Sequence, residues 1–142
     1  MGDNNNQSTL PDIRQTVRLN ASVQKVWNAV ATSEGIAEWF MPNDFEPVEG
    51  HEFQLNAGPF GMSSCKVTVI DPPNRLSFTW GKDWVLTFEL SEQGGQTEFT
   101  LIHSGWTEET VTEFQESHKI VRDRMDHGWV GLLEKLKAIV EA

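Results

Sequence analysis

A long segment in the middle of the chain alternates between apolar and polar residues with a period of two, and this feature constrains the fold most. The alternation begins after Pro42 and continues for about sixty residues, interrupted by short segments rich in Gly, Pro, Asn and Asp. Successive side chains of a β-strand point to opposite faces, so the pattern predicts a meander of antiparallel strands with one apolar face. That face needs a second layer of structure to cover it.

Turn signals divide this segment into separate strands. Residues 71–74 carry two prolines between Asp and Asn, which cannot continue a strand pairing. Gly50, Gly81 and the glycine pair at 94–95 mark the other reversals. Together with an alternating segment near the N-terminus, the predicted strands are 13–19, 45–48, 51–56, 60–70, 75–80, 84–90 and 97–104.

Two short helices are predicted after the first strand. Ser22 is a typical N-cap residue, and the apolar residues that follow it recur at intervals of three and four. A second helix is predicted from Ser33 through Phe40 and ended by Pro42. The apolar stripe of the first helix consists of Val23, Val26, Trp27 and Val30.

The C-terminal third predicts the helix that covers the sheet. A set of apolar residues at 111, 114, 121 and 125, with His118 among them, has helical spacing and predicts a separate segment or an extension of the last helix, with Gly128 as the expected break. A helix on an antiparallel sheet is an α+β architecture. The apolar stripe of the last helix contains Trp129, Leu132, Leu133, Leu136, Ile139 and Val140.

Composition and charge disfavour several classes of function. The formal net charge is −10 and no cluster of Lys or Arg occurs, which disfavours binding to nucleic-acid phosphates or to anionic membrane surfaces. No apolar run has the length that a membrane span needs. Cys65 is the only cysteine, which fits a reducing, cytoplasmic environment. The polar residues 1–10 are expected to form a disordered tail before a single domain at 11–142.

The sequence has no arrangement typical of a catalytic or metal site. The four histidines do not occur at metal-ligand spacing, and no second cysteine is available. The carboxylates form no acid–base pair on a shared face, and the glycines at 94–95 lie between strands rather than before a helix. His103 alternates onto the apolar face of its strand, where it is either a hydrogen-bonded core residue or a residue that contacts a ligand or transfers a proton. We therefore predict no catalytic residue, no metal and no cofactor.

Several segments resemble one known family in the same order along the chain. The resemblance is to the activator of heat-shock protein 90 ATPase homologue-like family, within the START-like, birch-pollen-allergen-like (SRPBCC) superfamily. It implies the helix-grip fold, in which a curved antiparallel sheet of about six to seven strands wraps on a long C-terminal helix, with two short helices after the first strand. The sequence departs from the pattern at Ser22, where many relatives carry proline. The similar segments are residues 21–30, Glu38-Trp39-Phe40, residues 72–80, residues 100–106 and Gly128-Trp129 with the leucines that follow.

The resemblance also implies a START-like domain with a cavity between the sheet and the last helix. Members of the superfamily bind lipids, sterols, polyketides or flavonoids, so we expect an apolar small-molecule ligand there. The alternatives are a module that binds a chaperone or another protein in a stress response, and a cyclase- or hydrolase-like enzyme. The inward aromatic residues can either fill the interior or surround a flat ligand. The residues expected to line the cavity are Trp39, Phe40, Phe53, Met62, Phe78, Trp80, Trp84, Phe88, Phe99, His103, His118, Trp129, Leu133 and Leu136.

Overall fold

The computed structural model describes residues 11–56, 61–81, 84–105 and 118–141, with the side chains of 118–121 excepted. The strands form one antiparallel sheet in the order β1-β6-β5-β4-β3-β2, and α3 contacts β1, α1 and α2. This six-stranded curved sheet with its long C-terminal helix confirms the predicted α+β helix-grip fold. In chain order, the elements are β1 (Ile13–Leu19), α1 (Val23–Val30), α2 (Ser33–Trp39), β2 (Glu52–Asn56), β3 (Met62–Asp71), β4 (Arg75–Trp80), β5 (Trp84–Gln93), β6 (Gln96–Ser104) and α3 (His118–Val140).

The inner face of the sheet follows from the alternation in the sequence. In the two central strands Phe78 lies opposite Leu86 and Leu76 lies opposite Phe88, and all four side chains are buried. Large apolar residues at paired positions on one face stabilise both the sheet and the layer packed on it. The hydrophobic core therefore lies between this face and the helices.

The outer face of the sheet is polar, and its charges are paired across neighbouring strands. Opposite charges on directly opposed residues favour one register over the alternatives. One of these pairs approaches as an ion pair, Arg75 with Glu89 at 3.9 Å. The four opposed pairs are Arg18 with Glu98, Arg75 with Glu89, Arg75 with Asp71, and Lys66 with Glu52.

Residues 45–48 do not form the predicted strand. Pro47 has no N–H donor, and the N–H of Val48 bonds to the carbonyl two residues before it at 2.8 Å, so the backbone turns instead of extending. The preceding segment protects the edge of β2: the N–H of Gln54 donates to Asp44 Oδ1 at 2.7 Å, and the N–H of Asn56 donates to the carbonyl of Pro42 at 2.8 Å. These bonds occupy edge donors that would otherwise be open to another strand.

The helices α1 and α2 begin where the sequence predicts. Ser22 Oγ accepts a hydrogen bond from the N–H of Lys25 at 3.2 Å, and Thr32 Oγ1 accepts one from the N–H of Gly35 at 3.0 Å. The two helices cross closely at Gly35, where a Cβ atom would lie 2.5 Å from the carbonyl oxygen of Asn28. Only a glycine fits at this crossing.

Helix α3 runs without interruption from His118 to Val140, so residues 118–127 are the predicted extension of the last helix, not a separate segment, and Gly128 does not break it. Glycine lowers helix propensity but does not prevent a helix that tertiary contacts hold in place, and the burial of Trp129 and Leu136 provides such contacts. The prediction for 106–117 lies outside the described residues. Among those that are described, no helix is both long and apolar enough to cross a membrane.

We expect Gly35→Ala to lower the free energy of unfolding by about 1–3 kcal/mol, because the added methyl group would overlap backbone atoms of Asn28 and Ala29. Urea denaturation followed by circular dichroism measures the change. Gly131→Ala is the matched control, since nothing lies within 4 Å of a Cβ atom there, and it should be neutral or stabilising. Equal stability of Gly35→Ala and the wild type would contradict the close helix crossing.

Candidate functional site

Five rings meet between the sheet, the end of α2 and α3, and we call them the aromatic cluster: Phe40, Trp80, Trp84, His103 and Trp129. The His103 ring is stacked on that of Trp80 with centroids 5.3 Å apart, and it meets that of Trp84 edge to face at 4.9 Å. The Phe40 ring lies 5.5 Å from Trp80 and 5.2 Å from Trp129. Centroid separations of roughly 4.5–7 Å are those of favourable aromatic pairs.

Local structure brings these rings together from three strands and two helices. Trp80 and Trp84 are paired at the end of the β4–β5 hairpin, and His103 lies near the end of β6, one strand further on. Phe40 follows the last residue of α2 directly, next to Trp39, whose indole N–H donates to a carbonyl of α1 at 2.9 Å. The position of Phe40 is therefore fixed by the packing of α2 on α1.

A hydrogen bond between two members of the cluster joins α3 to the sheet. Trp129 Nε1 donates to His103 Nδ1 at 3.1 Å, and both side chains are buried. An indole N–H can only donate, so Nδ1 must be the acceptor, and a neutral imidazole then carries its proton on Nε2. His103 is therefore a hydrogen-bonded, uncharged interior residue, in agreement with one of the two interpretations of the sequence.

The phenylalanines of the sheet form a second, adjoining group of packed rings. Phe53 contacts Phe45 and Phe78, each with centroids 5.2 Å apart, and Phe88 lies 5.4 Å from Phe99. Trp39 contacts Phe88 at 5.8 Å and so connects this group to α2. These rings fill the core beneath the middle of the sheet.

The predicted lining residues are mostly interior residues. Phe40 and Trp84 are half-buried, which places the accessible aromatic surface of the site at these two rings. The buried members of the predicted set are Trp39, Phe53, Phe78, Trp80, Phe88, Phe99, His103, Trp129, Leu133 and Leu136.

Met62 does not belong to this set, because its side chain is 52% exposed. In β3 the alternation places Ser63 and Cys65 inward, so Met62 points to the opposite, polar face. A shift of one residue in a strand exchanges the residues that face the core with those that face water. The sequence around Met62 has too few apolar residues to indicate which of the two faces Met62 occupies. The side chain of His118 lies outside the described residues.

A partly buried polar contact joins β1 to α3, and the sequence indicates it by a polar residue on an apolar face. Gln15 falls on the apolar side of β1, and its Nε2 donates to the backbone carbonyl of Asp126 at 2.9 Å and to Asp126 Oδ1 at 3.0 Å. A polar residue on an apolar face usually has a specific hydrogen-bond partner. In this protein the partner lies on α3, so the contact joins β1 to that helix.

A groove of about 490 Å³ lies on the opposite, outer face of the sheet. Its lining includes Glu52, Lys66 and Thr79, and its polar groups already bond to one another, as in the 3.0 Å bond from the Lys66 N–H to Thr79 Oγ1. Small-molecule sites are mostly apolar, so we consider the aromatic cluster rather than this groove the candidate site. Within the described ranges, no three His, Cys, Asp or Glu side chains are grouped closely enough to hold a metal ion.

Comparison with known proteins places this geometry in a family. The sequence profile described as Activator of Hsp90 ATPase homolog 1-like protein matches residues 20–141. The solution structure of protein BH1534 of Bacillus halodurans superimposes on this chain with a TM-score of 0.85. The two sequences are 47% identical, and the match covers 94% of this chain and 99% of BH1534. A search of curated proteins gave no significant match.

Two more distant structures share the fold. The Aha1 dimer of Colwellia psychrerythraea is 22% identical, over 93% of this chain and 97% of its own, with a TM-score of 0.74. DynU16, a protein of the dynemicin biosynthetic locus, is 20% identical, over 94% of this chain and 48% of its own, with a TM-score of 0.75. At these identities the similarity shows the fold alone.

We expect His103→Phe to lower the free energy of unfolding by about 1–3 kcal/mol, because the buried N–H of Trp129 loses its acceptor. In a Trp129→Phe background the same change should cost about 1 kcal/mol less, since the donor is also absent. Urea titrations of the two single variants and the double variant measure this coupling. Trp39→Phe is the control partner, because its indole N–H bonds to the carbonyl of Ala29 instead. Additive effects of the His103 and Trp129 changes would contradict the hydrogen bond.

Proposed function

Since this chain belongs to the Activator of Hsp90 ATPase homolog 1-like family, we propose that it binds an apolar, ring-containing small molecule against the aromatic cluster. The observation that carries the proposal is that the rings of Phe40 and Trp84 are only partly buried and lie beside the buried rings of Trp80 and Trp129. A ligand placed on that surface would continue the ring packing already present in the interior.

The chemistry of the cluster selects the class of ligand. Its members are phenylalanine, tryptophan and an uncharged histidine, so they offer apolar area and ring faces but no formal charge. Burial of one aromatic side chain is worth about 1.5–3 kcal/mol, and a flat ligand that covers Phe40 and Trp84 would gain energy of the same kind. An uncharged, planar molecule of the polyketide or flavonoid type therefore fits better than a phosphate ester or a carboxylate.

The known relatives support this class without identifying the ligand. The resemblance to START-like proteins implies binding of lipids, sterols, polyketides or flavonoids. DynU16, which shares the fold, comes from a biosynthetic locus for dynemicin. The buried thiol of Cys65 is compatible with action in the cytoplasm.

We expect the flavonoid, in a panel that also contains a long-chain fatty acid and a sterol, to shift the indole resonances of Trp80, Trp84 and Trp129. Trp84→Leu should weaken binding about tenfold, since one aromatic contact contributes about 1.4 kcal/mol. Titration followed by two-dimensional NMR and by tryptophan fluorescence measures both effects.

The matched control for this experiment is Gln54→Ala, which changes a residue of the outer groove and leaves the aromatic cluster intact. Its affinity for the compound should equal that of the wild type. The absence of a response to all three compounds, or shifts confined to residues of the outer groove, would contradict the proposed site.

A second candidate function is association with a chaperone. The family description names an activator of the Hsp90 ATPase, and between Lys25 and Lys66 the chain has six acidic residues and no Lys or Arg, with all six acidic side chains exposed. Such a segment would steer the protein toward a basic surface, with a rate that falls as salt increases. Stimulation of ATP hydrolysis by a purified Hsp90-type chaperone, reduced at high salt, would support it, and no stimulation at low salt would exclude it. The six residues are Glu34, Glu38, Asp44, Glu46, Glu49 and Glu52.

A further inference from the structure

We propose that the first part of α3, residues 118–127, is a lid that swings about Gly128 and Gly131 and opens a path to the aromatic cluster. We call this part the lid and residues 132–140 the anchored part. The gating role rests on the proposed ligand function, but the hinge itself can be tested without any ligand.

The two glycines have no packing reason to be glycines. A Cβ atom at either position would have nothing within 4 Å, and neither residue is among those with a positive φ angle. Gly35 differs in this respect, because its Cβ would overlap the backbone of α1. Glycine in a helix interior weakens the helix relative to alanine because the backbone gains freedom on unfolding. Gly128 and Gly131 therefore weaken α3 on both sides of Trp129.

The lid and the anchored part are held by different interactions. Leu133, Leu136 and Val140 are buried, so the anchored part is fixed by apolar packing. Of the lid side chains that are described, residues 122–127, none is fully buried. Met125, the one apolar residue among 122–127, packs against the core and is partly buried. Residues 122–127 therefore bury less apolar surface than the anchored part, and such a segment can open locally at less than the free energy of global unfolding.

Polar side-chain contacts hold the lid to β1 and to the residues before it. Arg122 donates through Nε to the carbonyl of Pro11 at 2.8 Å and through Nη2 to that of Asp12 at 3.4 Å. Gln15 donates to Asp126 from β1. Water can replace such bonds with little net change in free energy, so they close the lid reversibly.

The position of the lid explains what its opening would uncover. The carbonyls that Arg122 binds precede Ile13, and Ile13 is paired with His103 across β1 and β6. Lifting the lid would therefore free the end of the interior next to His103, with Trp129 between the two hinge glycines. A ligand would reach the aromatic cluster there without unfolding the anchored part.

Amide hydrogen exchange of the full chain tests the hinge. In the wild type the amides of residues 129–132 should exchange faster than those of 134–139, because hinge opening breaks the helix bonds at the first set only. Gly128→Ala combined with Gly131→Ala should slow the first set by about twentyfold, which is about fivefold for each glycine replaced. Gln15→Ala should accelerate the first set several-fold and leave the second unchanged.

Lys135→Ala is the matched control, an exposed change in the anchored part with similar helix propensity, and it should alter neither set. Equal exchange rates across 129–139 in the wild type would overturn the hinge. Equal acceleration of the amides of 129–132 and 134–139 by Gln15→Ala would also overturn the hinge. That result is expected if the Gln15 contact only stabilises the whole helix.

Stopped-flow binding of Nile red, an uncharged aromatic probe dye, tests the gate separately. The double alanine variant should bind the dye more slowly by about the factor seen in exchange, with a similar Kd. An unchanged association rate with slowed exchange would leave a hinge but overturn its gating role. If the dye does not bind to the wild type, the binding function loses support while the exchange data still decide the hinge.

Discussion

The large rings on the inner face of the sheet must be kept out of water, and the arrangement of the helices depends on this requirement. Phe78, Phe88 and Phe99 are almost completely buried, and each contributes about 1.5–3 kcal/mol by leaving water. The sheet alone could not bury them, since a single sheet leaves both faces accessible. Helix α3 covers one part of this face, and α1 and α2 pack beside it.

Apolar burial does not by itself fix how a helix is rotated on a sheet, because it is not directional. The hydrogen bond from Trp129 to His103 has a direction, and it joins the buried side of α3 to the inner face of β6. It also determines which imidazole nitrogen carries the proton. The residues that orient the helix are thus the residues of the candidate site, so changes made there alter stability as well as binding.

Most of the fold could be predicted from the sequence because its elements have strong local signals. The strands alternate clearly, and Ser22 caps α1 as its residue type suggests. The prediction was wrong at 45–48, where Pro47 and a short turn replace a strand despite two apolar residues, and at Gly128, where tertiary packing sustains the helix. It was wrong for Met62, because the phase of a strand near its end depends on its partner. The turn at 45–48 has a local cause that the apolar pattern did not reveal, whereas the other two cases depend on contacts with other elements.

The candidate site was only partly predictable for a related reason. Alternation assigned the rings to the inner face, but which of them stay accessible depends on how three separate elements meet. Phe40 and Trp84 belong to different elements and become the accessible edge of the cluster only because α2 ends beside the β4–β5 hairpin. A single sequence carries no signal for that approach.

The ligand binding and the chaperone association proposed above would use different parts of the molecule. On the outer face Lys66, Arg75 and Arg18 are each opposed by a glutamate, so that face has little net charge, and the inner face is uncharged at the aromatic cluster. Five acidic residues, Glu34, Glu38, Asp44, Glu46 and Glu49, lie before Glu52 in the segment from α2 to β2, which contains no Lys or Arg. A ligand in the interior and a basic partner at this segment would use different residues and different forces, one apolar and insensitive to salt, the other electrostatic and screened by it. Binding at one would not compete directly with binding at the other, and any effect of one on the other would pass through α2, which supplies Glu38 to the acidic segment and precedes Phe40 in the cluster.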